Sequence, residues 1–159
     1  MESTPNSPAQ DAPKPRRSLA SPVFTIAIIL VAGLLITRMI AGNGTAPTPD
    51  FMPTTTNLAS MTFEGDKPVV AVVTADWCGP CQELKRTTLS DERVRTLLAG
   101  NAQPVMVDGT DTHEAMPTLQ QLGVRAFPST VVLRNGQPVA MLEGYANADK
   151  YLAWLEGQL

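Results

Sequence analysis

Histidine is almost missing from this chain: among 159 residues there is one, His113. Cysteine is nearly as scarce, with only Cys78 and Cys81. A structural zinc site takes about four nitrogen or sulfur ligands, so one copy of the chain cannot supply it. Only a site shared between two chains would complete the set. No metal is expected, and no cofactor beyond the cysteine pair itself. Cationic excess is missing too. A formal charge of −3 and a pI near 5.1 leave no basic surface of the kind nucleic acid needs. No internal repeat is visible. Proline, by contrast, is plentiful: the chain holds fourteen, and about half of them lie before residue 54. That skew separates a Pro-rich front from a compact back.

The two cysteines stand in Trp77-Cys78-Gly79-Pro80-Cys81. The apolar run Val69-Val70-Ala71-Val72-Val73 precedes them, and a helical pattern follows from Gln82. A strand that delivers Cys-x-x-Cys to the start of a helix is a redox arrangement. The first turn of a helix carries unpaired N–H groups and partial positive charge, which favour thiolate over thiol. The thiolate is the attacking species in disulfide exchange. Cys78 is therefore the expected nucleophile, and Cys81, one turn on, the resolving thiol. Pro80 suits a first-turn position, where its missing N–H costs no helix bond. A purely structural disulfide here would close a tiny loop and constrain the unfolded chain little.

The front of the chain reads as three pieces. Residues 1–21 are polar and Pro-studded, too poor in apolar surface to offset ordering entropy. They read as a disordered cytoplasmic tail, closed by Lys14, Arg16 and Arg17. From Ser18 to Thr37 there is no charge. Pro22 to Ile40 is enough for ~28 Å of helix, close to the hydrocarbon thickness of a bilayer. Residues 22–41 are read as a transmembrane helix, with Arg38 snorkelling to the interface. A cleaved signal peptide fits less well, because the leading tail is long and no clean small-x-small site follows. Arg16-Arg17 resembles a twin-arginine export signal only weakly. A buried core helix is disfavoured, since nothing amphipathic breaks the run. Cationic residues before the span keep that side in the cytoplasm. Both cysteines then lie outside, which in a bacterium is the oxidising periplasm. Residues 42–57, rich in Gly, Pro and Thr, read as a tether rather than a packed element.

From Leu58 the pattern is globular, and 58–159 is read as one domain. Leu58–Phe63 is a short helix or strand. Val69–Thr74 is a strand buried on both faces. Cys81 to Thr88 is the redox helix, with Leu84 inward. Ser90 caps a helix that Gly100 stops. Pro104–Val107 is a second strand. His113–Leu122 is a helix, regular from Pro117 and ended by Gly123. Thr130–Arg134 and Val139–Glu143 form a hairpin around Asn135-Gly136. Asn147–Glu156 is the last helix, with Tyr151, Leu152 and Leu155 inward. Met106, Met116 and Met141 read as core or gap-filling residues, and His113 as a surface or first-turn residue. The order predicts an α/β domain whose first two strands are parallel and whose last is antiparallel.

These residues carry a family resemblance. Ala75-Asp76-Trp77-Cys78-Gly79-Pro80-Cys81, then Phe127-Pro128-Ser129-Thr130 and the Asn-Gly hairpin, resemble thioredoxin. Leu89-Ser90-Asp91 and Val107-Asp108-Gly109-Thr110-Asp111 bring the chain nearer the C-terminal thioredoxin-like domain of the transmembrane thiol:disulfide interchange proteins, periplasmic disulfide reductases. The match covers residues 68–159. It implies the thioredoxin fold, a mixed central sheet flanked by helices, here preceded by the N-terminal transmembrane helix. It implies that Pro128 is a cis-proline against the redox pair. Trp77, Gly79, Pro80, Phe127 and Pro128 would form the surface on which an extended substrate segment docks. One departure stands out. The family places a buried Asp six residues before the first cysteine, where it serves the second cysteine's proton; here that residue is Val72. A family aromatic is likewise replaced by Thr74.

The resulting expectation is a membrane-anchored extracytoplasmic thiol-disulfide oxidoreductase. Its partners are disulfide-bearing proteins, a membrane electron donor and the bilayer. Gly-Pro between the cysteines resembles the reducing members, with potentials about −270 mV against about −120 mV for strong oxidants. An oxidase or isomerase of the same fold is the alternative within the class. A non-catalytic thioredoxin-like binding module in a membrane complex is the alternative outside it.

Overall fold

A computed structural model describes residues 22–41 and 45–159. The tail 1–21 lies outside the described residues. Residues 45–159 form one compact unit, and the helix before them is taken by itself.

That helix, α1, runs Pro22–Ala41. Its side chains are described over 26–37, and Ile26, Ile28, Ile29, Leu30, Val31, Leu34, Leu35 and Ile36 are all exposed. Among the described residues, no helix is long and apolar enough to cross a membrane.

The compact unit is built on a five-stranded sheet: β1 (Thr54–Thr55), β2 (Val69–Thr74), β3 (Gln103–Asp108), β4 (Ser129–Arg134) and β5 (Gln137–Glu143), in the order β1-β3-β2-β4-β5. β2 is central, parallel to β3 and antiparallel to β4. Its alternation explains why its sequence is apolar throughout. Val70 and Val72 enter one core cluster, with Leu84, Leu89, Val94, Leu98, Tyr151 and Leu155. Val69, Ala71 and Val73 enter another, with Leu58, Ala115, Leu119 and Leu122. Successive residues of a strand face opposite sides, and here helices cover both.

The helices of the unit are α2 (Gly79–Glu83), which runs on into a π-helical stretch Leu84–Thr88, then α3 (Glu92–Asn101), α4 (Thr112–Leu122) and α5 (Ala148–Glu156). The parallel and antiparallel pairings follow the sequence expectation, as does the hairpin. Asn135 and Gly136 take φ of 52° and 73°, the pair of positive angles a tight hairpin turn needs.

Several local expectations are corrected. The segment 42–57 is not a free tether where it is described. From Thr45 it belongs to the compact unit, Ala46 and Met52 are buried, and Thr54–Thr55 forms the edge strand beside β3. Met52 joins the same cluster as Val72 and Leu84, and Phe51 packs against it, so apolar side chains pin the segment. Leu58–Ser60 is a 3-10 turn. The cap of α3 is Asp91, not Ser90, and the helix runs through Gly100 to Asn101. Ser90 instead turns its hydroxyl back to the Arg86 carbonyl. Asp91 wins because its carboxylate accepts from Arg93 N–H and also binds the Arg93 guanidinium. α4 is regular from Thr112, because Asp111 accepts from the N–H groups of His113 and Glu114; Pro117 sits inside it. Met116 is exposed rather than buried.

Candidate active site

The redox pair lies where β2 ends. Ala75 is buried and begins the turn; its carbonyl accepts the Cys78 N–H at 3.2 Å. Cys78 is the N-cap of α2, in extended conformation. Its Sγ accepts from the Cys81 N–H at 3.2 Å, the contact a helix start offers to developing negative charge on sulfur. Cys78 and Cys81 are joined as a disulfide. Cys81 is fully buried, while Cys78 keeps 6% of its surface. Of the two, Cys78 is the less enclosed, the order expected if it meets a substrate disulfide first.

Gly79 and Pro80 form the exposed first turn of α2. Open space faces Gly79. Trp77 is 61% exposed, held by an indole N–H bond to the Thr110 carbonyl. Its ring meets Phe127 edge-on at 5.3 Å. Phe127 in turn packs on the cluster of Ala75, Cys78 and Cys81. The Phe127-Pro128 bond is cis. The fold therefore brings Trp77, Phe127 and the cysteines together, from segments fifty residues apart, with Pro128 following directly. It does not bring His113 in: that residue is exposed in the first turn of α4.

Three residues at the site were not singled out by sequence reasoning. Gly109 faces Phe127 so closely that a Cβ would stand 2.5 Å from its ring. Lys85 is buried and reaches Asp76 at 3.7 Å, with Asp76 half exposed. Gln82, also buried, bonds the carbonyls of Ala75 and Asp76. The signal for the last two was there: an amide and an amine fall on the inner side of the redox helix, in step with Leu84. Val72 is fully buried in the core cluster, and Thr74 donates to the Met106 sulfur. Among the described residues no group of three or more His, Cys, Asp or Glu could hold a metal ion.

A dithiol–disulfide pair at a helix start, below an aromatic wall on a mixed sheet, defines a thiol-disulfide exchange protein of thioredoxin type. The chain belongs to the thioredoxin-like domain family, whose profile matches residues 57–158. A thioredoxin-like protein of Synechocystis is 34% identical over 63% of this chain and 90% of its own length. The thiol:disulfide interchange protein DsbD of Yersinia enterocolitica is 33% identical over 57% of this chain, which spans only 16% of that protein. Among solved structures, the oxidised C-terminal domain of Neisseria meningitidis DsbD aligns with a TM-score of 0.52 and 31% identity, over 57% of this chain and 79% of that one. The expected family is thereby established, and with it the fold. Proteins of this family act on disulfide-bearing protein substrates.

Proposed function

We propose that this protein is a membrane-anchored disulfide reductase whose catalytic domain works outside the cytoplasm. The observation that carries the chemistry is the Cys78–Cys81 pair at the start of α2, Cys81 fully buried and Cys78 keeping 6% of its surface. In the dithiol form, the Cys78 thiolate attacks a substrate disulfide. One substrate sulfur bonds to Cys78; the other leaves as a thiolate and takes a proton. Cys81 then loses its proton and attacks the Cys78 sulfur. The substrate departs with both thiols, and the pair is left as the disulfide seen here. Two electrons have passed from the pair to the substrate, and a membrane electron donor restores them.

Trp77, Phe127 and Pro128 supply the docking wall, and Gly79 and Pro80 leave the approach open. The anchor is supported by α1, apolar and exposed around its described length. A helix that is hydrophobic on all sides requires an apolar surround. The outside placement is supported by the cations before α1 and by the likeness to an interchange protein. The reducing direction is supported by Gly79-Pro80 between the cysteines.

Trapping tests the mechanism. Cys81→Ser in the native membrane should accumulate covalent mixed disulfides with substrates, and Cys78→Ser should be inactive in insulin reduction. Full turnover in both variants would refute the mechanism, while an absence of trapped partners would favour a non-catalytic module. A glutathione titration placing the potential above about −150 mV would reverse the direction.

A further inference from the structure

The segment that follows α1 meets the redox turn at one side chain. Gln82 uses its whole carboxamide. Nε2 donates to the Ala75 and Asp76 carbonyls, each at 3.1 Å, and Oε1 accepts from the Ala46 N–H at 2.6 Å. The orientation is forced. Flipped, the amide would set its NH2 against an N–H and its oxygen against two carbonyls. The Ala75 carbonyl also receives the Cys78 N–H, so Gln82 grips the turn that presents the nucleophile. The third bond runs to a different part of the chain. Ala46 is buried, and six residues later Met52 is sunk in the core.

We propose that Gln82 is a positioning residue that locks the Ala75–Asp76 turn beneath Cys78 and makes that lock depend on the segment 45–53. This rests on the redox reading of Cys78 and Cys81. In the disulfide form the S–S bond itself holds Cys78 beside Cys81. In the dithiol form that restraint is gone, and the turn alone keeps the Cys78 sulfur before the Cys81 N–H. The lock therefore acts mainly on the reduced form. Loosening it shifts the balance towards disulfide and makes Cys78 a slower nucleophile. The arrangement lets a contact far from Cys78 in sequence tune the thiol.

The test uses full-length protein in detergent. Gln82→Met keeps the length and removes all three bonds. Ala46→Pro deletes the N–H that Gln82 Oε1 accepts and sets a ring carbon in its place, leaving the two bonds from Nε2 to the turn. Two quantities are measured: the equilibrium constant with glutathione, and the rate of Cys78 alkylation by iodoacetamide at neutral pH. Each variant should move the equilibrium towards disulfide by about threefold or more, ~14 mV for a two-electron couple, and slow alkylation to match. The double variant should go no further than the stronger single, because both act through one amide. Wild-type values in both variants, with wild-type melting temperatures, overturn the lock; so do additive effects. If Gln82→Met fails to fold, Ala46→Pro decides alone. If the wild-type pair exchanges with glutathione not at all, the redox reading itself has failed, and the lock with it.

Discussion

Gly109 is held to glycine by a neighbour rather than by its own backbone. A methyl there would meet the Phe127 ring at 2.5 Å and 2.8 Å, with the Thr74 carbonyl behind it at 3.4 Å. Backbone on one side leaves the ring as the part that must move, and that ring packs on both cysteines and on Trp77. Gly109→Ala should therefore raise KM for protein disulfides several-fold while leaving the reaction with a small disulfide near wild type. Equal losses on both substrates would show that Phe127 does not serve docking. Val72 makes the opposite case, a position where a side chain could be added to the chemistry. It is fully buried in the apolar cluster, so a carboxyl there would be desolvated and its pKa raised. Val72→Asp should speed the Cys81-dependent resolution step in single turnover, at a cost in melting temperature. An unchanged resolution rate would mean that proton transfer from Cys81 does not depend on this position.

At the scale of elements, strands were more legible than helix ends. β2 is read correctly because helices on both faces demand an unbroken apolar run, and the β4–β5 turn because Asn-Gly accepts two positive φ angles. The end of α4 at Leu122 and Gly123 was read correctly, and only its regular start was placed too late, at Pro117. The start of α3 was misread because competing caps sit side by side. Ser90 and Asp91 are both good caps, and the choice falls to Arg93, which cannot be placed from local sequence alone. Segment 45–57 was misread because Gly, Pro and Thr describe a backbone free of regular structure, not one free of contacts. Met52 in the core, Phe51 against it, the Ala46 N–H on Gln82 and two β1 residues seat it. The tie between α5 and the sheet leads to a pH prediction. Tyr151 is buried, and its hydroxyl pairs with that of Thr130 at 3.0 Å. Burial pushes its pKa up, opposed by the Thr130 bond. The folded state thus holds the phenolic proton more tightly than the unfolded chain. That stability is complete below the unfolded value of about 10 and lost as pH rises through the folded one. Tyr151→Phe should cost about 1 kcal/mol at neutral pH and flatten the alkaline fall in stability. Parallel alkaline profiles by thermal melting would place the titrating group elsewhere.

For the whole molecule, charge and apolarity bear differently on where the dithiol works. The apolar exposure of α1 bears only on whether the chain is held in a bilayer. Direction comes from the flanks: Lys14, Arg16 and Arg17 precede the helix, and Arg38 stands near its far end. Cationic side chains are retained on the cytoplasmic side, so residue 78 should face outwards. The direction matters chemically, because a reductase has disulfides to act on chiefly in an oxidising compartment. Two measurements on intact spheroplasts separate the claims. The protein should stay with the membrane through alkaline carbonate extraction; release into the wash would remove the anchor. After reduction, Cys78 should react with a membrane-impermeant maleimide as fully before lysis as after it, and Cys78→Ser should abolish that labelling. Labelling only after lysis would keep the anchor but turn the domain inwards, where a reducing cytosol supplies few disulfides and the proposed direction of electron flow loses its purpose.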